Sequence, residues 1–301
     1  MNGSTAPSPW LPTAPCTPGH CAAHPHPAGR DHADAAAGAV LAALRLTAGT
    51  GTVLLGLLLA PAAALLPAAA RLALVRRWVR TVVRAFGVRV RYEGEPPGPA
   101  TGPLLVVANH VSWLDIPLVA AVLPGRMVAK AEVRRWPVLG VLAAFGGTLF
   151  LDRDGLRALP AAVRGMAGIL AAGGRVVVFP EGSTWCGRAA GRFRPAAFQA
   201  ALDSGADVQP VRIDYRPAGA AAYVGDDPLG ASLWRVVTAR RLTAEVRIPA
   251  RIPAARHPDR RALAAAAQRA VARDSANLPA PSVHQRSRSR SASASSARTP
   301  A

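Results

Sequence analysis

The chain has 301 residues, half of them apolar, and a formal net charge of +19 that is carried almost wholly by arginine, since Lys130 is its one lysine. That length accommodates one sizeable α/β domain with appendages, and a mean hydropathy of +0.19 is high for a soluble enzyme. A basic excess favours polyanions, but no zinc-finger, homeodomain or RNP-type pattern accompanies it, so nucleic acid is excluded as a partner, and a GC-rich genome explains part of the bias towards arginine.

Residues 1–37 are rich in Pro, Ala and His and have no basic segment followed by an early apolar stretch, so they read as a disordered tail and not as a signal peptide. Cys16, His20, Cys21, His24 and His26 cluster there without zinc-finger or zinc-ribbon spacing, and no metal is expected. With Cys186 as the third cysteine there is no disulfide framework, which fits a reducing compartment.

Residues 38–87 read as a membrane-anchoring helical segment. From Leu46 to Ala70 the chain is almost free of charge, long enough to meet the ~20-residue requirement of a spanning helix. Pro61 and Pro67 leave two forms open, a kinked spanning helix or a helical hairpin that enters one leaflet. Arg76, Arg77, Arg80 and Arg84 then recur at helical spacing, with Leu72, Val75, Val79, Val82, Val83 and Phe86 on another face. Such a helix suits an anionic membrane surface, the alternative being a helix packed on the main domain. The positive-inside rule puts the rest of the chain on the cytoplasmic face of the cell membrane.

Residues 88–277 change periodicity. Val88–Tyr92 alternates like a half-exposed strand; Leu104–Ala108, Thr148–Leu151, Val176–Phe179 and Val208–Ile213 are short apolar strands. Helical stretches such as Leu156–Ala172 separate them, and Arg256–Ala276 closes the domain as a helix. The alternation predicts a single α/β domain with a central, mostly parallel sheet flanked by helices. Residues 278–301 are rich in Ser and Arg and read as a second disordered tail.

Apart from His257, which flanks the closing helix, His110 is the one histidine within this body. It follows the apolar strand ending at Ala108, and strand C-termini are where open α/β sheets place their sites. Asp115 lies five residues on. On one continuous helix the two would sit about 140° apart, whereas with His110 in the preceding loop the carboxylate can reach back to the imidazole and fix its tautomer. Ser112-Trp-Leu-Asp115 also fits a capping box, in which Asp115 satisfies a backbone N–H. A second strand ends in Phe179-Pro-Glu-Gly-Ser-Thr184, a turn that brings Glu181 and backbone N–H groups to the same sheet edge and suits a polar head group.

Four blocks in order, Asn109-His-Val-Ser-Trp-Leu-Asp115, Gly147-Thr-Leu-Phe-Leu-Asp-Arg153, Phe179-Pro-Glu-Gly182 and Val208-Gln-Pro-Val211, resemble those of the lysophospholipid acyltransferases, with Lys130, Trp136, Pro137 and Gly140 also similar. The resemblance implies transfer of a fatty acyl group from acyl-CoA or acyl carrier protein to the free hydroxyl of a lysophospholipid, here 1-acylglycerol-3-phosphate to give phosphatidic acid. It implies His110 as general base oriented by Asp115, with Arg153, Glu181, Gly182, Ser183 and Thr184 holding the acceptor. It implies no cofactor and no covalent acyl-enzyme, and membrane phospholipid and the acyl donor as partners. Many members place Thr-Arg after the Pro-Glu-Gly turn; here Ser183, Thr184 and Trp185 follow, and Arg188, Arg192 and Arg194 are the nearest substitutes for the missing cation.

That departure keeps another lyso acceptor open, such as lyso-ornithine lipid, as well as a membrane protein that binds lipid without catalysis. A serine hydrolase is excluded by the lack of any G-x-S-x-G. A covalent route through Cys186 is the remaining chemical alternative, because that residue adjoins the third block.

Overall fold

Leu104–Ala108 is an uninterrupted apolar run, and a run of that kind is stable only where both sheet faces are covered. The structure, a computed structural model describing residues 14–22, 32–94, 102–152 and 156–272, covers both. In chain order the elements are α1 (Pro18–Cys21), α2 (His32–Ala64), α3 (Ala68–Ala85), β1 (Arg89–Glu93), β2 (Leu104–Ala108), α4 (Asp115–Val122), β3 (Arg126–Lys130), α5 (Leu139–Phe145) and β4 (Leu149–Leu151). There follow α6 (Leu159–Ala171), β5 (Arg175–Val178), α7 (Ala196–Ser204), β6 (Asp207–Arg216), α8 (Ala218–Ala221), α9 (Leu229–Thr238), β7 (Thr243–Arg247) and α10 (Arg260–Ala272).

The seven strands form one sheet in the order β1-β7-β6-β2-β5-β3-β4. Every neighbouring pair is parallel except β6 and β7. Side chains of β2 divide between two cores by strand periodicity: Leu104, Val106 and Ala108 face one layer, Leu105 and Val107 the other. The first layer is built on α3, α4 and α9 with Val83, Leu118 and Val236; the second on α6, α7 and α10 with Leu170, Phe198 and Leu263. Each of these buried side chains contributes roughly 1.5–3 kcal/mol relative to exposure.

Two short strands escape sequence reasoning. β3 has three uncharged residues between Arg126 and Lys130, too few to show a period, and β7 alternates only as Thr-Ala-Glu-Val-Arg. The first block's helix starts at Asp115, after a turn closed by the Asp115 N–H on the Ser112 carbonyl at 3.1 Å. The closing helix is described over Arg260–Ala272, with Asp259 accepting the Arg261 and Ala262 N–H groups; residues 273–276 of the expected span, and the Ser/Arg tail, lie outside the described residues.

The helical segment before the domain is a hairpin. Gly38–Ala64 of α2 is long and apolar enough to cross a membrane, and little of it is buried in the protein. The chain then turns and α3 returns along α2. Gly49 and Gly56 lie against the Phe86 and Trp78 rings, so that even a Cβ there would collide with them, and the Trp78 indole N–H donates to the Thr52 carbonyl at 2.9 Å.

The base of the hairpin is fixed to the domain. Ala42 is fully buried, and Arg45 donates to the Val237 and Ala239 carbonyls, both at 2.8 Å. On α3 the face expected to meet a membrane surface is turned inward, with Val79, Val82, Val83 and Phe86 buried. Arg76 and Arg80 of the expected cationic stripe donate to the Val122 and Ala121 carbonyls, at 2.9 and 3.1 Å, and so cap the C-terminus of α4. Arg77 and Arg84 are exposed.

The expectation of a wholly disordered tail over residues 1–37 is corrected twice: residues 32–37 already belong to α2, and residues 14–22 pack on the domain. This segment docks on the domain because Cys16, Cys21 and Ala22 bury their side chains, the two cysteines against Ala222, Val224 and Cys186.

Candidate active site

β2 and β5 are parallel neighbours, with Val107 opposite Val178, so the chain leaves both strands at the same edge of the sheet. One exit carries Asn109 and His110, the other Phe179, Pro180 and Glu181. Asn109 extends the sheet with its side chain: its Nδ2 donates to the Ile213 carbonyl and its Oδ1 accepts the Ile213 N–H, both at 2.8 Å. This clamp between β2 and β6 fixes where the chain turns out towards His110.

His110 and Asp115 meet as the loop-then-helix geometry requires, with His110 Nδ1 2.8 Å from Asp115 Oδ2. The same oxygen accepts the N–H groups of Val111 at 2.7 Å and Ser112 at 2.9 Å. The capping box and the His–Asp contact are therefore one arrangement. Amide N–H groups only donate, so Oδ2 is an acceptor and Nδ1 carries the hydrogen between them, leaving Nε2 with a lone pair. Oδ1 accepts the Tyr215 hydroxyl at 2.6 Å. Burial, then the Asp115 charge and the hydrogen bond to it, push the Tyr215 phenol well above its ordinary range, so it stays a donor.

The imidazole is stacked on Phe179, with ring centroids 4.1 Å apart and planes 19° from parallel. It keeps 17% of its side chain exposed, whereas Asp115 is wholly buried. The imidazole is thus the accessible member of the pair.

Glu181 does not face outward as a head-group ligand would. Its side chain is buried, with Oε2 accepting the His110 N–H at 2.8 Å and Oε1 the Gly191 N–H at 3.0 Å. The Trp185 N–H closes the arrangement on the His110 carbonyl at 2.7 Å. Burial, opposed by those two N–H donors, pushes the Glu181 carboxyl up to about 8. Gly182 has φ +76°, the left-handed turn that glycine adopts without strain. Ser183 and Thr184 follow it half-buried.

Of the remaining expected residues, Arg153 lies outside the described residues. Arg188 is engaged elsewhere, donating to the Cys21 carbonyl at 2.8 Å and the His20 carbonyl at 3.3 Å, while Arg192 and Arg194 are exposed. Cys186 is buried in a cluster with Cys16 and Cys21, a setting unlike the partly exposed, electropositive one of a reactive thiolate.

Sequence reasoning missed Tyr215, Gly191 and the clamping role of Asn109. Tyr215 has a legible signal, since it shares a face of β6 with Val211 and Ile213 at two-residue spacing. Gly191 has none, being one glycine among 27. A Cβ there would meet the Trp185 indole at 2.4 Å and the Glu181 Cβ at 3.1 Å.

With this geometry established, the comparisons are specific. The profile of the family described as Acyltransferase matches residues 89–214. The lyso-ornithine lipid O-acyltransferase of Pseudomonas aeruginosa is 39% identical over 202 residues, 66% of this chain and 76% of that protein. The 1-acyl-sn-glycerol-3-phosphate acyltransferase of Neisseria gonorrhoeae is 37% identical over 175 residues, 56% of this chain and 68% of its own length. The crystal structure of the 1-acyl-sn-glycerophosphate (LPA) acyltransferase from Thermotoga maritima shares the fold with TM-score 0.64 at 19% identity, covering 82% of this chain and 98% of that one. On its sequence relatives and its fold together, this chain belongs to the acyltransferase family.

Proposed function

We propose that the protein is a lysophospholipid O-acyltransferase in which His110 Nε2 removes the proton from the acceptor hydroxyl. The alkoxide so formed attacks the thioester carbonyl of acyl-CoA or acyl carrier protein. The tetrahedral intermediate collapses to the ester, and the departing thiolate recovers the proton from the imidazolium, so no acyl-enzyme forms and no cofactor takes part. The observation that carries this reading is the Nδ1 to Oδ2 contact of 2.8 Å beneath a partly exposed ring. Asp115 fixes the tautomer and stabilises the imidazolium.

In this reading Glu181 positions His110 through its backbone N–H. Acceptor contact falls to Gly182, Ser183, Thr184 and Arg153, whose guanidinium suits a phosphate. The acceptor is 1-acylglycerol-3-phosphate. Lyso-ornithine lipid is the second reading, favoured by the engagement of Arg188 with the N-terminal segment, which removes one candidate cation from the loop, and by the Pseudomonas relative.

Membrane association follows from α2, with Leu54, Leu55, Leu58 and Leu59 exposed along its outer half and Leu65 and Leu66 at the turn. The outer half from Leu54 to Ala64 rises about 15 Å, half of a hydrocarbon core of ~30 Å. Because the inner half is docked on the domain through Ala42 and Arg45, we favour a hairpin entering one leaflet from the cytoplasmic face.

The test uses membranes from expressing cells, a labelled acyl thioester, and a panel of lysophosphatidic acid and lyso-ornithine lipid. His110→Ala is expected to lower turnover by about 10²- to 10⁴-fold, with Cys186→Ala retaining the chemical step. Undiminished turnover in His110→Ala would remove the general-base role, and equal inertness of the wild type towards all acceptors would remove the enzyme.

A further inference from the structure

Two cysteines of the N-terminal segment and a third some 165 residues later converge on one point. Cys16 precedes α1, Cys21 ends it, and Cys186 lies in the loop after Gly182; all three are buried and their sulfur atoms lie within 4.8 Å of one another. The hydrogen bond with Cys186, and then burial, raises the Cys16 thiol well above the ordinary range, and burial raises Cys21.

We infer that this cluster is a three-thiolate site for a thiophilic divalent cation, zinc in the first instance, that clasps residues 14–22 to the loop carrying Glu181. Soft sulfur ligands select zinc and copper(I) over magnesium, calcium or manganese. Zinc–sulfur bonds of about 2.3 Å on a tetrahedral ion hold sulfurs about 3.8 Å apart, so the observed cluster needs to contract by no more than roughly 1 Å, and a water completes the fourth position. Binding converts three thiols to thiolates and releases their protons. The resulting zinc trithiolate carries one negative charge. Arg188 supplies the counter-charge, because its guanidinium already spans from the Cys186 loop to the carbonyls of His20 and Cys21.

The site touches the candidate chemistry through the chain itself. Cys186 directly follows Trp185, whose N–H donates to the His110 carbonyl. A metal ion at Cys186 would thus restrain the loop that holds His110, from a position outside the acyl-transfer pair. The inference does not depend on the acyltransferase reading.

The experiment takes untagged full-length protein in detergent, purified with reductant, and measures zinc by elemental analysis and cobalt(II) uptake by its near-ultraviolet sulfur-to-cobalt charge-transfer band. The expected result is close to one ion per chain, at least ten-fold less in Cys16→Ser or Cys186→Ser, and a charge-transfer intensity of three thiolates. Should those variants fail to fold, the wild type alone decides: zinc should protect three thiols per chain from alkylation, and a chelator should expose them. No uptake by the reduced wild type, uptake unchanged in the serine variants, or a native disulfide between any two of the three would overturn the site.

Discussion

Four hydrogen-bond donors converge on Asp115: two backbone N–H groups, His110 Nδ1 and the Tyr215 hydroxyl. Three come from the residue's own loop, and two of those could be anticipated, the Ser112 N–H from Ser112-Trp-Leu-Asp115 as a capping box and His110 Nδ1 from its place ahead of the helix. The fourth comes from another strand and could not. Tyr215→Phe removes it while keeping the ring volume, leaving Oδ1 of a fully buried carboxylate without that donor, at a cost of about 1–3 kcal/mol. The expected outcome is a lower thermal midpoint and a kcat reduced by roughly tenfold, equivalent to ~1.4 kcal/mol of transition-state stabilisation. KM for donor and acceptor should hold, since Tyr215 is buried behind the carboxylate. A wild-type kcat in this variant would detach Tyr215 from the catalytic arrangement. The assignment of Glu181 to acceptor binding shows the limit of motif reading at this scale: the four-residue block places it at the correct sheet edge, but which way its carboxyl turns depends on Gly191, ten residues further along and unremarkable in sequence.

At the scale of elements, the strands with continuous apolar character were legible because burial on both faces demands it, as in Leu104–Ala108 and Val176–Val178. The strands that escaped, β3 and β7, lie towards the sheet's margins, where flanking charge is tolerated and the periodic signal is correspondingly short. The arginines of α3 were legible as a stripe but not as caps, since their acceptors belong to α4, more than forty residues later. Helix α2 shows the same dependence on context: Gly49 and Gly56 count against a helix by propensity, yet they admit Phe86 and Trp78 and so set the close approach of α3. The hairpin reading carries its own prediction. Among the described residues Leu58 and Leu59 stay 76% and 51% exposed. Leu58→Asp with Leu59→Asp should move the protein from the membrane pellet to the supernatant at high salt, with a partition change of about 100-fold or more, because each carboxylate costs on the order of 2.5 kcal/mol or above in a bilayer interior. A doubly substituted protein that still sediments with membranes would refer the anchorage to another surface, such as the exposed Val141 and Phe145 of α5.

For the molecule as a whole, the site and the fold share a buried carboxyl whose ionisation both must tolerate. Glu181 joins the His110 exit from β2 to the loop at Gly191, and that loop also carries Cys186 towards the N-terminal segment. Burial, the dominant influence, raises its carboxyl from an ordinary 4.5 to about 8 despite two N–H donors. The folded chain therefore binds this proton more tightly than the unfolded chain, and the associated stability is complete below about pH 4.5 and is lost as the pH rises through about 8. A thermal midpoint followed from about pH 6 to about pH 9 should decline by more than the exposed carboxylates allow, since those are already ionised throughout that window. Glu181→Gln has no proton to lose. It should start lower, because its amide NH2 faces one of the two backbone donors, but it should lack the Glu181 share of the slope, so the two curves converge as the pH rises. Parallel curves over the whole range would mean that Glu181 is ionised at neutral pH and that the two N–H donors outweigh its burial.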